Sequence, residues 1–418
     1  MSLVELKATG IGPIDPLEIR FGERLNLITG DNGLGKSLIL DLAFWQLTGS
    51  WPHREPLRAA GPAAVSALVR GETGVVERQC SFDIGRQRWV WERGRPPMSA
   101  LVVHARTNGG FCVWDPARNY YRVDPHGDEA PRAYVLEPGH VWSGLPGERE
   151  GQWLCNGLNR DWVAWQRERR PQFDTLCKVL SALSPDPAEE LRPTDPVRVI
   201  GNAQDLPALQ AAYGVVPLAH ASEAVRRICA LAYLIVWSWT EHEIEAGLRG
   251  WSMPIRRLDL IVDELEAHLH PRWQRRILPA LMEVIHHLSS QARIQILGVT
   301  HAPLLLASVE THFDPSTDRL FTVDLRKVAT GQRAVLVEQD FRMRGDAASW
   351  LSSDVFDQTP PMSVEAQHAI ERARRWMAAG NADAAGAEMV ERELGAALGE
   401  SNPFWPRWQY QKERLLGQ

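Results

Sequence analysis

The chain has 418 residues, 44% hydrophobic and 23% charged, with a net charge of −6. That is an ordinary globular balance, long enough for two or three lobes, and it carries no global basic field that would argue for nucleic acid. Five scattered cysteines without a C-x-x-C spacing suggest free thiols, no secretion signal is visible after Met1, and the longest apolar run, Ile228 to Trp237, is half of what a membrane span needs, so a cytoplasmic protein with no membrane contact is expected.

The start reads as strands. Leu3–Ala8 and Leu17–Phe21 alternate and are separated by Gly10, Gly12 and Pro13; Leu25–Thr29 is a third strand. It runs into Gly30-Asp31-Asn32-Gly33-Leu34-Gly35-Lys36-Ser37, which fits G-x-x-x-x-G-K-S, and Ser37–Trp45 follows as an apolar helix. A strand before and a helix after are what a phosphate loop requires. The glycines let backbone N–H groups turn inward around a phosphate, and the helix N-terminus adds a partial positive charge. Gly30 to Leu38 is therefore the expected nucleotide-binding segment. Lys36 is expected to bridge the β- and γ-phosphate oxygens of ATP, and Ser37 to ligate Mg²⁺.

Residues 51–125 look β-rich, with strands expected at Val75–Ile84, Arg88–Glu92, Leu101–Arg106, Phe111–Trp114 and Tyr120–Val123. Residues 151–192 look mostly helical, with Asp161–Trp165 opening one stretch. The Pro- and Asp-rich stretch 184–207 reads as a connector. Helical spacing resumes at Ser222 with Val225, Ile228, Cys229, Ala232, Ile235, Val236 and Trp239.

Leu258–Val262 is an apolar strand ending in Asp263-Glu264. Burying it puts the acids at the carboxyl edge of a sheet, where α/β proteins bind ligands. Asp263 is the expected second Mg²⁺ ligand, and Glu264 the group that polarises the attacking water. Trp273–Leu288 reads as one helix. Ile294–Val299 is the next strand, ending at Thr300-His301. A parallel neighbour would bring His301 beside the γ-phosphate as a donor. A hairpin is expected at 320–325 and 334–340 around Thr330-Gly331, and an Ala-rich helical tail after about 345. In that tail Trp350, Phe356, Trp376, Phe404, Trp405 and Trp408 read either as docking anchors or as groups packed back onto the rest of the chain. The chain's 17 tryptophans allow the same two readings, core filling or partner surface.

The three motifs, together with Glu266-Ala267-His268-Leu269-His270-Pro271 after the acids, resemble the ABC-type ATPase heads of SMC, RecF and OLD proteins. The Glu-x-His-Leu-His-Pro run is the most specific part. It resembles the heads of bacterial anti-phage systems: OLD-family nucleases, the Septu ATPase PtuA, retron-associated ATPases and the PARIS ATPase AriA. The resemblance implies an α/β P-loop NTPase fold of the ABC head type, with a β-rich and helical insertion and a helical C-terminal tail. The divisions expected are 1–50 and 201–344 for the head, 51–200 for the insertion and 345–418 for the tail. It also implies that two heads sandwich ATP, the signature helix of one facing the γ-phosphate held by the other. Ser222 matches the signature serine; Ala224 stands where the family has glycine, and Glu223 lies between them, which points to slow turnover. Gln152 and Gln166 are the candidates for the family's glutamine loop.

The tail is too short for an ordinary nuclease domain and has no acidic D-x-D cluster, and His286-His287 are poor co-ligands on a helix. The expected protein is an ATPase that forms a homodimer or higher oligomer through nucleotide and regulates a separate effector, a nuclease, in antiviral defence. The alternatives are a RecF- or SMC-like DNA-dependent ATPase, with Arg167, Arg169, Arg170, Arg272, Arg275 and Arg276 as basic patches, and an ATP-clamped scaffold with little turnover.

Overall fold

The computed structural model describes residues 2–52, 55, 61–71, 74–93, 100–120, 132–328, 331–379 and 383–417. In chain order the first elements are β1 (Ser2–Thr9), β2 (Leu17–Arg20), β3 (Leu25–Gly30) and α1 (Lys36–Thr48). Then come β4 (Ala64–Gly71), β5 (Gly74–Asp83), β6 (Arg88–Arg93), β7 (Leu101–Ala105), β8 (Phe111–Trp114), α2 (Pro116–Asn119), β9 (Tyr134–Leu136) and α3 (Pro138–Ser143). A small ladder of β10 (Leu145–Pro146) and β11 (Trp153–Cys155) leads into α4 (Leu158–Arg167) and α5 (Pro171–Ala182). A three-stranded sheet follows, of β12 (Arg192–Arg198), β13 (Asp205–Ala211) and β14 (Gly214–Pro217). The remainder is α6 (Glu223–Leu248), β15 (Arg257–Val262), α7 (Pro271–Gln274), α8 (Ile277–Leu288), β16 (Arg293–Val299), α9 (Pro303–Val309), β17 (Arg319–Val328) and β18 (Gly331–Gln339), and then α10 (Ala347–Leu351), α11 (Val364–Ala378), α12 (Ala384–Ala397) and α13 (Phe404–Leu416).

The central sheet has the order β18-β17-β3-β16-β15-β7-β8-β9. Strands β17, β3, β16, β15 and β7 pair in parallel; β18, β8 and β9 add antiparallel margins. The parallel strands are near-continuous apolar runs, as strands covered on both faces must be. A second, antiparallel sheet runs β2-β1-β4-β5-β6. Helix α1 lies between the two, and Ile39, Leu40, Leu42, Phe44 and Trp45 share one core with Leu3, Leu6 and Val65 of the second sheet and with Ile28, Val299 and Phe321 of the first. Its apolar character on all sides follows from having a sheet on each side. Trp45 stacks on Trp51 at 3.8 Å between ring centres, with Trp89 and Trp91 against it. Six tryptophans, among them Trp114, Trp162 and Trp237, are fully buried, so core filling accounts for much of the excess. The architecture is the α/β P-loop NTPase fold expected, with a helical C-terminal region.

The segment 51–200 is shared out: β4 to β6 extend the sheet of β1, while β7 and β8 join the central sheet beside β15. By contact the chain divides into two compact units, Met1–Gly345 and Asp346–Gln418. The second has its own core, in which Phe404 and Trp408 are buried against Ala366, Ile370 and Leu394, with Trp376 and Trp405 packed on them. Those aromatic residues are core groups of the helical unit.

Two expectations are corrected. The connector 184–207 contains β12 and the start of β13. Its prolines misled because they fall where strands tolerate them: β12 is an edge strand, and Asp195-Pro196 form a bulge opposite Pro207. The single helix 273–288 is broken at Arg275-Arg276, because Pro279 lacks an N–H and its ring would meet the carbonyl four residues back. Strand β4 was not anticipated. Residues 121–123 of the strand expected at 120–123, and the 329–330 turn of the expected hairpin, lie outside the described residues. No helix among the described residues is long and apolar enough to cross a membrane.

Candidate nucleotide-binding and catalytic site

In the order β3-β16-β15, three parallel strands end on the same edge of the sheet. Register fixes the rest: Ile28 pairs with Val299, Gly298 with Val262, and Val262 with Ala105. The residues just past these pairs are therefore Gly30, His301 and Asp263. Asp263 and His301 line a cleft of about 280 Å³ with Glu264 and Val299 and with Asn32, Gly33, Gly35, Lys36 and Ser37 of the loop that follows Gly30. Three motifs that span the sequence from residue 30 to 301 meet there.

The phosphate loop has the backbone its glycines were chosen for. Gly30, Gly33 and Gly35 have φ of 127°, 78° and 92°. A Cβ at Gly30 would stand 2.2 Å from the Val323 carbonyl and one at Gly35 2.8 Å from Pro13, whereas at Gly33 nothing lies within 4 Å. Gly33 thus leaves open space for a group to approach the backbone closely, as a polyphosphate must. Leu34 is buried and Leu38 half-buried, which anchors the loop, while Asp31 and Asn32 are exposed.

Lys36 is 5% exposed, and its ammonium donates to the carbonyl of Gly30 at 2.8 Å and to that of Asp31. Burial lowers its pKa, against the pull of Asp31, Asp263 and Glu264. It is a cation held by neutral carbonyls, available to an anion that enters. The Ser37 hydroxyl lies beside the Asp263 carboxylate and favours its charged form. Burial raises the Asp263 pKa, with the charge of Glu264 adding to it and Ser37, Lys36 and Arg227 opposing. Its Oδ1 is buried with no hydrogen-bond partner. An orphaned carboxylate oxygen beside a serine hydroxyl is a hard oxygen pair, and it fits Mg²⁺.

Glu264 has φ of 49°, uncommon for a residue with a side chain, and His268 in the same turn has φ of 65°. The His301 backbone N–H donates to Glu266 Oε1, which ties the acidic turn to the end of β16. Burial and the Lys36 charge hold the His301 imidazole below its ordinary pKa, against the pull of Glu266, Glu264 and Asp263. Asp41, one turn along α1 from Ser37, is pushed up to about 7 by burial and by Asp263. Neighbouring His104 is fully buried, pushed down to about 3, and so carries no charge to balance it.

Ser222 is not among the residues that line this cleft. It caps α6, its hydroxyl accepting the Val225 N–H at 3.4 Å. Glu223 is exposed but accepts from Arg226 at 3.2 Å, so its charge is partly balanced. Gln152 and Gln166 do not line the cleft either. Gln166 donates to the Thr194 carbonyl at 3.1 Å, and Gln152 closes a turn with Gly147 and Arg149. Of the arginines considered for a basic patch, Arg167 pairs with Asp205, Arg170 with Glu168 and Arg272 with Glu189. Among the described residues no cluster of three metal-binding side chains occurs.

Sequence reading missed Glu266 as a tie to His301, and it missed Arg227 and Asp41. Each acts across tens of residues or a helix turn, with no local pattern to mark it.

Residues 5–95 match the family described as "AAA domain", and residues 211–307 match the one described as "AAA domain, putative AbiEii toxin, Type IV TA system". The first stretch holds the phosphate loop; the second holds α6, the acidic strand and His301. Among solved structures, the chain is similar to the SMC head domain from Thermotoga maritima, at 14% identity and a TM-score of 0.42, over 81% of this chain and 100% of that one. It is similar to the recombination mediator protein RecF-ATP of the RecFOR pathway at 12% identity and 0.38, over 81% and 97% of the two chains. For the RecF-ATPrS structure the figures are 12%, 0.37, 77% and 96%.

Proposed function

We propose that the protein binds ATP with Mg²⁺ in the cleft between the phosphate loop and Asp263-Glu264, and hydrolyses it as an ABC-type ATPase. The convergence of Lys36, Ser37, Asp263, Glu264 and His301 on one sheet edge is the observation that carries this reading. The loop N–H groups and Lys36 would hold the β- and γ-phosphates, and Ser37 with Asp263 would hold the metal. Bound Mg²⁺ would neutralise charge on the phosphate oxygens. Glu264 would orient and accept a proton from water in line with the γ-phosphate, and His301 would donate a hydrogen bond to the γ-phosphate.

Ser222 stands apart from the cleft of its own chain, at the exposed cap of α6. That supports a two-copy arrangement in which it meets the nucleotide of a second copy. In this reading ATP closes paired heads and the closed state regulates a separate nuclease in anti-phage defence. The Glu-x-His-Leu-His-Pro run supports the defence setting. The test is ATP turnover by purified protein, with and without duplex DNA, beside Lys36→Ala and Glu264→Gln. Turnover lost in both variants, at least about a hundredfold for Glu264→Gln, is expected. Stimulation by DNA would instead favour a DNA-dependent ATPase, and binding without turnover in the parent would favour an ATP-clamped scaffold.

A further inference from the structure

Arg227 stands on α6, five residues beyond the cap at Ser222, and is half-buried. Its Nη1 donates to the Thr107 carbonyl at 3.0 Å, and its Nη2 to the carbonyls of Asp263 at 3.3 Å and Glu264 at 3.4 Å. Among the described residues no carboxylate forms an ion pair with it. Three backbone carbonyls, from the end of β7 and from the acidic turn, therefore share one guanidinium fork.

The position of that fork matters because Glu264 is held at φ of 49°. A side-chain-bearing residue in this region is strained and persists only where its surroundings fix it. Holding the Glu264 carbonyl fixes the backbone rotation at its Cα, and with it the direction of the Cα–Cβ bond from which the carboxylate extends. Within the turn the Ala267 N–H bonds the Glu264 carbonyl at 3.0 Å and the Leu269 N–H bonds that of Glu266 at 2.8 Å, while Leu265 N–H reaches Val299 at 3.3 Å. These bonds close the turn on itself and on β16. Arg227 alone among these contacts joins it to α6.

We infer that Arg227 is a positioning residue: it fixes the Glu264 backbone against the N-terminal end of α6, so that a contact made at Ser222 reaches the carboxylate through one side chain. This rests on the proposed ATPase reading for its purpose, but the clamp itself can be measured without turnover. It explains why an arginine rather than a lysine suits the position, since a single ammonium cannot span three carbonyls in fixed geometry.

The test is amide hydrogen exchange of the full chain, parent beside Arg227→Met and Arg227→Lys, with ATP affinity and turnover measured on the same samples. In Arg227→Met the amides of Leu265, Ala267 and Leu269 are expected to exchange about tenfold faster, as loss of hydrogen bonds to a charged group implies. Exchange in the phosphate loop and in α6 beyond Ile228 stays unchanged, ATP affinity stays within about twofold, and turnover falls about tenfold or more. Arg227→Lys keeps the charge and falls between the two, which also covers the case of Arg227→Met failing to fold. Unchanged exchange in the turn, or faster exchange spread over all of α6 and the phosphate loop, would overturn the inference. A parent without turnover would sink the ATPase reading alone, because the exchange pattern still decides whether the clamp exists.

Discussion

Gly30 and Gly33 look alike in the sequence and differ in what surrounds them. Gly30→Ala puts a methyl 2.2 Å from the Val323 carbonyl at φ of 127°, so denaturant unfolding is expected to show a loss of ~2 kcal/mol or more. Gly33→Ala meets no atom within 4 Å and pays only for its φ of 78°, about 1 kcal/mol, yet it intrudes on the approach to the backbone and should weaken ATP binding more than stability. Asp41 makes a pH prediction. Its folded pKa, about 7, lies above the ordinary 3.8, so the folded state holds its proton more tightly. The contribution is fully present below the ordinary value and is lost as pH rises through about 7, on the order of 1–2 kcal/mol after allowing for its partial exposure. Asp41→Asn should therefore flatten the melting-temperature profile between about pH 4 and 8. An unchanged slope would mean that Asp41 is ionised in the folded protein.

Helix α6 is held to the sheet by more than apolar contact. His242, with no exposed surface, bonds Asp115 Oδ1 at 2.7 Å through Nδ1 and accepts the Ile255 N–H at 2.9 Å through Nε2. Because Nε2 must be the acceptor, the proton is on Nδ1 and is donated to Asp115, which also caps α2. Both ring nitrogens are taken, so this buried pair is structural. Removing one partner strands the other: His242→Ala should cost about 3 kcal/mol by denaturant unfolding, and the double variant with Asp115→Ala much less than the sum of the singles. Additive losses would show that the two do not interact. At this scale the sequence was legible where a rule is local. The 3.6-residue spacing gave α6, and the apolar runs gave β3, β15 and β16. It failed where a neighbour decides. The break before α8 needed Pro279 weighed against the carbonyl of Arg275, and β12 needed an edge position to make room for Pro193 and Pro196.

Across the molecule, the unit of residues 346–418 has a core separate from that of the nucleotide site. Trp408→Ala should therefore destabilise the helical unit by about 3–5 kcal/mol while ATP affinity is unchanged. Affinity falling in step with the melting of that unit would show the two to be energetically coupled. What the sequence determined by itself is the set of residues that come to line the cleft: a G-x-x-x-x-G-K-S loop, two acids at a strand end and a histidine at the next are each marked by residue types at fixed short spacing. What only the tertiary structure decided is their assembly. Parallel pairing across the order β3-β16-β15 brings together residues that the chain keeps far apart, and the Glu266–His301 tie spans 35 positions. The carbonyls that Arg227 clamps, and the burial that unsettles Asp41, belong to backbone direction and solvent exclusion, and those exist only once the sheet has closed around α1 and α6.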